Sequence, residues 1–369
     1  MPEPFKHLID PAGVRQLVEG LAQAAPGLDA ARCRALATHR LGELELKARC
    51  RQIEAAMAAC LSNEREASLG VLECFVALLE EGALETLPRW TLWPVSEYLG
   101  AIGVADVPRA LALMRRITPF FTGEFGIRPL LVHDLETCRL HLESWLDDPS
   151  EDVRRLVSEG TRPRLPWGRR LRALVADPRP MLPLLEALRD DPSEYVRRSV
   201  ANHLNDIAKD HPALFLEVAE SWMVNAPEPR QRLLRHASRT LLKAGESRAL
   251  ALHGWSPPRL REVTLRLAES VVEEGGALVF RFGARSPARA TQALRLDYAV
   301  HYRKANGTLS PKVFAWKKIE LAAGATLEAE RRVSFRPVTT RRLYPGPHRL
   351  DVRVNGVIVG AVDFELRAG

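Results

Sequence analysis

Two stretches, DDPSEDVRRLVSEG (147–160) and DDPSEYVRRSVANH (190–203), write nearly the same phrase 43 residues apart. A period of that size belongs to helical arrays of the HEAT type, in which a helix pair of about 40–47 residues recurs. In the second copy Asp191 suits an N-cap, Pro192 the first helical position, and Glu194 the far end of a capping box. Val196, Val200, Leu204 and Ile207 then share a buried stripe, while Arg198, Asn202, Asn205, Asp206 and Lys209 gather on another face. Arg155, Glu159 and Arg162 take the corresponding places in the first copy. A weaker third copy, PRQRLLRHASRTLLKAG (229–245), presents Arg232, Arg235 and Arg239. Equivalent helices of a solenoid line one concave surface, so the three copies predict a cationic groove.

Working outward, segments such as ASLGVLECFVALLEEGALE and VPRALALMRRI keep the three- and four-residue apolar spacing of helices up to about Leu252. Trp255-Ser-Pro-Pro breaks that pattern. Beyond it ALVFRFGA, ALRLDYAVHYR, KVFAWKKIEL, RRVSFRP, HRLDVRVN and VIVGAVDFEL have strand character. Asn306-Gly307, Asn355-Gly356 and Pro345-Gly346-Pro347 read as turns between them. Asn306-Gly-Thr fits a glycosylation pattern, but as a hairpin turn it needs no such role. The expectation is an all-α HEAT-like repeat solenoid over residues 1–254 and a small all-β immunoglobulin-like sandwich of six or seven strands over 255–369.

Charge divides at the same place. From Ser256 onward there are 20 Lys and Arg against 11 Asp and Glu, a net of +9, so the remainder of a chain of net +7 carries −2. A polyanion is the simplest partner for that field. The N-terminal MPEPFKHLIDP lacks the basic patch and apolar run of a signal peptide, and no apolar run approaches a membrane span. A cytoplasmic, monomeric protein without membrane contact is expected. The five cysteines form no CxxC pair and read as buried reduced thiols.

The phrases TGEFGIRP (122–129), VSEGTRPRLPWGRRL (157–171) and DDPSEYVRRSVANHLNDIAKDHP (190–212) resemble the HEAT-like repeat DNA glycosylases that repair alkylated bases. Among these the chain is most similar to the AlkC branch, whose longer members append an immunoglobulin-like domain. The resemblance implies hydrolysis of the N-glycosidic bond of N-alkylated bases in duplex DNA, chiefly 3-methyladenine, with 3-methylcytosine and 1-methyladenine as further substrates. It also implies action without drawing the damaged nucleotide into a deep pocket, unlike base-flipping enzymes.

A base methylated at N3 is a cation and already a good leaving group. Carboxylates are therefore wanted beside the deoxyribose, where positive charge develops, and an aromatic face beside the base. By motif, Glu124, Trp167 and Asp206 match the catalytic positions of the family. Arg155, Arg162, Arg164, Arg197, Arg198 and Lys209 are assigned to the DNA backbone, as are Lys317, Lys318, Arg341, Arg342 and the Asn355-Gly356 turn in the C-terminal domain. The chain has no P-loop, GxSxG, HExxH or paired-CxxC zinc motif, so neither metal nor other cofactor is expected. The competing reading is a non-catalytic scaffold for nucleic acid or protein. Acids inside the cationic groove speak against it, because a scaffold for phosphates gains nothing from them.

Overall fold

A computed structural model describes residues 5–62, 64–338 and 341–369. Helices account for the chain up to Leu252 and strands for the rest, the architecture expected from the repeat. The chain divides into two compact units, one reaching to Asp210 and including Pro227–Ala237, the other made of His211–Ala226 and Ser238–Gly369. Among the described residues no helix is long and apolar enough to cross a membrane.

In the first unit, helix starts follow short acidic caps. Asp10, Asp106 and Asp134 accept the N–H of Gly13, Arg109 and Thr137 at 2.7, 3.2 and 3.0 Å. The repeated phrase works differently from the expected capping box. Its helices span Glu151–Gly160 and Glu194–Asp210. Asp148 and Asp191 each accept the N–H of the serine two residues on, at 2.9 and 2.8 Å. Each carboxylate also meets an arginine from an earlier helix. Arg115 grips Asp148 at 2.5 Å, and Arg154 grips Asp191 with two bonds of 2.7 and 3.1 Å. Arg154 also donates to the Asp148 carbonyl at 2.7 Å, and Arg197 makes the matching bond to Asp191 O in its own copy. The phrase is therefore written twice because each copy is one tooth of a clasp between repeats.

Val153, Leu156, Val157, Val196, Val200, Leu204 and Ile207 are buried as the periodicity requires. The expected polar face is not wholly solvated, however. Asn205 is buried and donates to Ala237 O at 2.7 Å, tying Glu194–Asp210 to Glu228–Ala237. Gly126, in TGEFGIRP, packs so closely on the Leu92–Ile102 helix that a Cβ there would lie 2.1 Å from Ser96 O. Cys33, Cys50 and Cys138 are buried free thiols, but Cys60 is half-buried and Cys74 exposed, which corrects the expectation for those two.

The second unit carries the sandwich after its helices Pro212–Met223, Arg239–Ala244 and Ser247–Leu252. Among the described residues its strands are β1 (Arg261–Leu267), β2 (Val271–Glu273), β3 (Ala277–Arg285), β4 (Gln292–Arg303), β5 (Leu309–Leu321), β6 (Thr326–Ser334), β7 (Gly346–Val354) and β8 (Val357–Arg367). They form sheets β1-β3-β6 and β2-β8-β7-β4-β5. Phe280, Phe282, Leu296, Val300, Leu350 and Val352 alternate inward and fill the space between the sheets. Asn306-Gly307 joins β4 to β5, and Asn355-Gly356 joins β7 to β8 with φ of 46° and 78°, the paired positive values of a tight hairpin. Pro345-Gly346-Pro347 is instead the entry of β7.

Candidate active site

The site grows from two loops of the first unit. The loop after Gly160 carries Trp167, which takes φ 64°, a left-handed conformation that is rare for a bulky residue. Such a backbone persists only when its surroundings over-determine it. Here Arg128, fully buried, donates to the carbonyls of Gly160 (2.8 Å), Arg162 (2.9 Å) and Arg169 (2.5 Å), bracketing the loop. Lys47 adds a bond to the Trp167 carbonyl. Burial, with the nearby Arg162 charge, pulls the Arg128 guanidinium down to about 10, so it remains a cation at neutral pH.

Held this way, the Trp167 ring stands 55% exposed and stacks with Trp93 at 6.3 Å and 15°. Trp93 stacks in turn with Phe125 at 4.5 Å, and Trp90 meets Phe121 edge-on at 5.5 Å. These rings, with Leu165 and Pro166, enclose an aromatic cavity of about 340 Å³. Its polar wall is made by Thr122, Glu124, Glu159 and Arg162.

That wall is the front of a buried chain of alternating charges. Arg155 Nη1 lies 2.6 Å from Glu124 Oε2, and its Nη2 lies 3.6 Å from Glu159 Oε1. Arg162 Nη1 meets the same Glu159 oxygen at 2.7 Å, while its Nε reaches Asp206 Oδ2 at 2.9 Å. Lys209 closes the row, 2.8 Å from Asp206 Oδ1. Thr122 Oγ1 donates to Glu124 at 2.8 Å, Ser199 Oγ donates to Glu159 at 2.7 Å, and the Tyr195 ring covers the Arg155 guanidinium at 4.8 Å. Burial alone would weaken the charge on Arg162. Glu159 and Asp206 reverse that and hold it above the ordinary arginine value.

The residues named from sequence are sorted by this geometry. Glu124 and Trp167 meet at the cavity. Asp206 does not line it: its carboxylate is 0% exposed and faces two cations. Arg155 and Arg162 face carboxylates, Arg164 forks onto Asp210 with two bonds of 2.6 Å, and Arg197 faces carbonyls of its own loop. Arg198 is exposed and, among the described residues, pairs with its neighbour Glu194 at 3.2 Å. A second hollow of about 340 Å³ brings Arg197, Arg198, Arg232 and His236 together between the second and third copies.

In the sandwich Lys317, Lys318 and Arg342 are exposed. Arg341 lies 3.8 Å over the Tyr302 ring, and Lys318 lies 5.3 Å from Trp255. The Asn355 side chain is committed inside the fold, accepting from Arg295 N and donating to the Ser256 and Ala293 carbonyls. Glu159 and Arg128 were not singled out as site residues from sequence. The signal for Glu159 was the spacing Arg155-Glu159-Arg162, acid between bases on one helical face.

Behind the row, His203 is wholly buried, with Nδ1 2.9 Å from the Ser158 carbonyl and no partner at Nε2 among the described residues. Burial pushes its imidazole down to about 4. From the ordinary value of 6.5, the unfolded chain takes up this proton first as pH falls, so stability is full above that value and lost toward pH 4. The loss is expected to approach about 3 kcal/mol. Melting curves of wild type and His203→Asn across pH 7.5 to 4.5 check it. Equal pH slopes in the two proteins would refute the assignment.

Residues 261–368 match the family described as "Uncharacterised protein YhaZ, C-terminal Ig-like domain". "Uncharacterized protein YhaZ" of Bacillus subtilis (strain 168) is 35% identical over 373 residues, covering 98% of this chain and 99% of that one. The solved structure of the Pseudomonas fluorescens alkylpurine DNA glycosylase AlkC, bound to DNA containing an abasic site analog, is 35% identical and superposes with a TM-score of 0.87. That alignment covers 99% of this chain and all of the other. Matching that structure from end to end, helices and sandwich alike, the chain belongs to the AlkC family of HEAT-like repeat proteins with a C-terminal Ig-like domain.

Proposed function

We propose that the protein is a DNA glycosylase that hydrolyses the N-glycosidic bond of cationic N-alkylated bases in duplex DNA, opening base excision repair. 3-Methyladenine is the first substrate, with 3-methylcytosine and 1-methyladenine beside it. The observation that carries the reading is a pair of carboxylates, Glu124 and Glu159, set with Thr122 and Arg162 in one wall of a largely aromatic cavity. The relationship to the DNA-bound AlkC supports it.

The chemistry follows from charge. As the C1′–N bond breaks, its electron pair passes into the alkylated ring and neutralises it, so no proton is delivered to the leaving group. Positive charge grows on the sugar instead. Glu124 and Glu159 stabilise it, and one of them takes the proton of the water whose oxygen bonds to C1′. Arg155 and Arg162 hold these carboxylates in place, and Asp206 with Lys209 anchors Arg162 from behind. The faces of Trp167 and Trp93 attract the cationic base.

Residues 1–254 act as the glycosylase domain, with Arg198 among its phosphate contacts. Residues 255–369 act as a DNA-binding accessory domain through Lys317, Lys318 and Arg342, with Arg341 bracing the loop against Tyr302. The protein works as a monomer at the nucleoid, without a cofactor. Incubation with methylated duplex DNA should release 3-methyladenine and leave abasic sites. Binding to that DNA with no released base would leave a scaffold.

A further inference from the structure

Counter-charges decide which arginines of the first unit are available to a ligand. Arg155, Arg162 and Arg164 already face carboxylates, and Arg197 faces carbonyls. One cluster without a counter-charge follows the Trp167 loop directly. In Trp167-Gly-Arg-Arg-Leu-Arg, the side chains of Arg169, Arg170 and Arg172 are exposed, and none has an ion-pair or hydrogen-bond partner among the described residues. Three exposed guanidinium groups thus fall within four residues with no counter-charge beside them.

They line one groove of about 740 Å³, whose floor is formed by Leu131, Leu135 and Leu174 and whose lining contains no acid. Arg169 belongs also to a neighbouring groove of mixed charge, where Lys47, Arg51, Glu54 and Glu97 lie beside Trp167, so Arg169 links the arginine groove to the rim of the aromatic cavity. The backbone beneath is fixed, because Arg128 holds the Arg169 carbonyl and Leu171 N donates to Pro163 O at 3.3 Å.

We propose that this groove is a second strand-binding site, in which Arg169, Arg170 and Arg172 take successive backbone phosphates of the DNA whose damaged nucleotide lies at Trp167. It rests on the reading of DNA as the substrate. A groove whose own lining holds three arginines and no acid fits a polyanion. Its apolar floor fits the deoxyribose faces between phosphates. Neither set of contacts reads sequence, as suits a repair enzyme that must act at any position. The loop thereby couples two tasks, since the segment that presents the ring to the base also fixes the strand on which that base sits.

The test compares wild type with Arg169→Gln/Arg170→Gln/Arg172→Gln as full-length proteins on a duplex carrying an abasic-site analogue. Affinity is measured from 50 to 300 mM salt. Each lost phosphate contact lowers the slope of log affinity against log salt by about 0.9, so the triple variant should lose about 2–3 in slope and bind at least tenfold more weakly at 100 mM. At saturating protein it should still release base at close to the wild-type rate, because the arginines lie outside the carboxylate wall. An unchanged slope in a variant that melts like wild type overturns the proposal and leaves an acidic protein partner as the occupant. Should the triple variant fold poorly, Arg172→Gln alone must lose about a third of the effect, and an unchanged slope there is equally decisive. If wild type releases no alkylated base, the glycosylase reading fails, while the slope still reports on the groove.

Discussion

Glu124→Gln is expected to slow single-turnover release of 3-methyladenine by about 10²–10³-fold, with melting temperature and DNA affinity close to wild type. Glutamine keeps the volume, and its oxygen still accepts from Arg155 and Thr122, the two groups that orient the native carboxylate. Only the negative charge, proposed to face the sugar, is lost. Arg155 is not abandoned, because Glu159 stands 3.6 Å away and the Tyr195 ring covers it. Undamaged duplex should bind equally or slightly more tightly, since a negative charge has left a phosphate-facing surface. Full base release by this variant would remove Glu124 from the mechanism. A large fall in melting temperature would make it scaffold.

Asp206→Asn should behave in the opposite manner. Its carboxylate is wholly buried between Arg162 and Lys209, so the substitution leaves a buried guanidinium short of its counter-charge. Breaking a buried pair from one side costs about 3–5 kcal/mol, which thermal or denaturant melts will read directly. Base release should also fall, measured where the variant is still folded, because Arg162 no longer holds Glu159 in one place. Adding Arg162→Met should return part of the stability, since the unpaired charge goes with it, but none of the activity. Native-like melting of Asp206→Asn would show that the row of charges is not the anchor described above. Stability regained together with activity in the double variant would remove Arg162 and Asp206 from positioning Glu159.

The repeat, its period and the change from helix to strand were legible because each is a local pattern. The buried stripe from Val196 to Ile207 and the hairpins at Asn306-Gly307 and Asn355-Gly356 followed from spacing and turn chemistry alone. Partners across repeats were not legible. On its own helix Asp206 looked like an acid on a cationic face, with Arg198 or Lys209 as its neighbour. Its approach to another repeat, at Arg162, spans 44 residues and no helical wheel contains it. The same blindness turned Asp191 into an expected N-cap, when Arg154 of the copy before it holds that carboxylate. The first two strands escaped notice for another reason. β1 is half-exposed along its length and irregular near Glu262, at φ 55°, and β2 has only three residues, so neither shows clean alternation. Trp167 was found by motif, but its left-handed backbone and its dependence on Arg128 exist only in three dimensions.

The clasp between copies has a direction. A copy offers an acceptor at its head, Asp148 or Asp191, and Arg154 offers a donor from one copy to the next. A part with complementary ends is modular, as a monomer is in a polymer. Duplicating or deleting one whole 43-residue unit would present a donor to an acceptor again and reseal the joint. An insertion of a few residues between Arg154 and Asp191 would instead misalign the two ends and every copy beyond them. Lineages of this array should therefore grow and shrink by whole units, and tolerate length changes mainly away from the clasp.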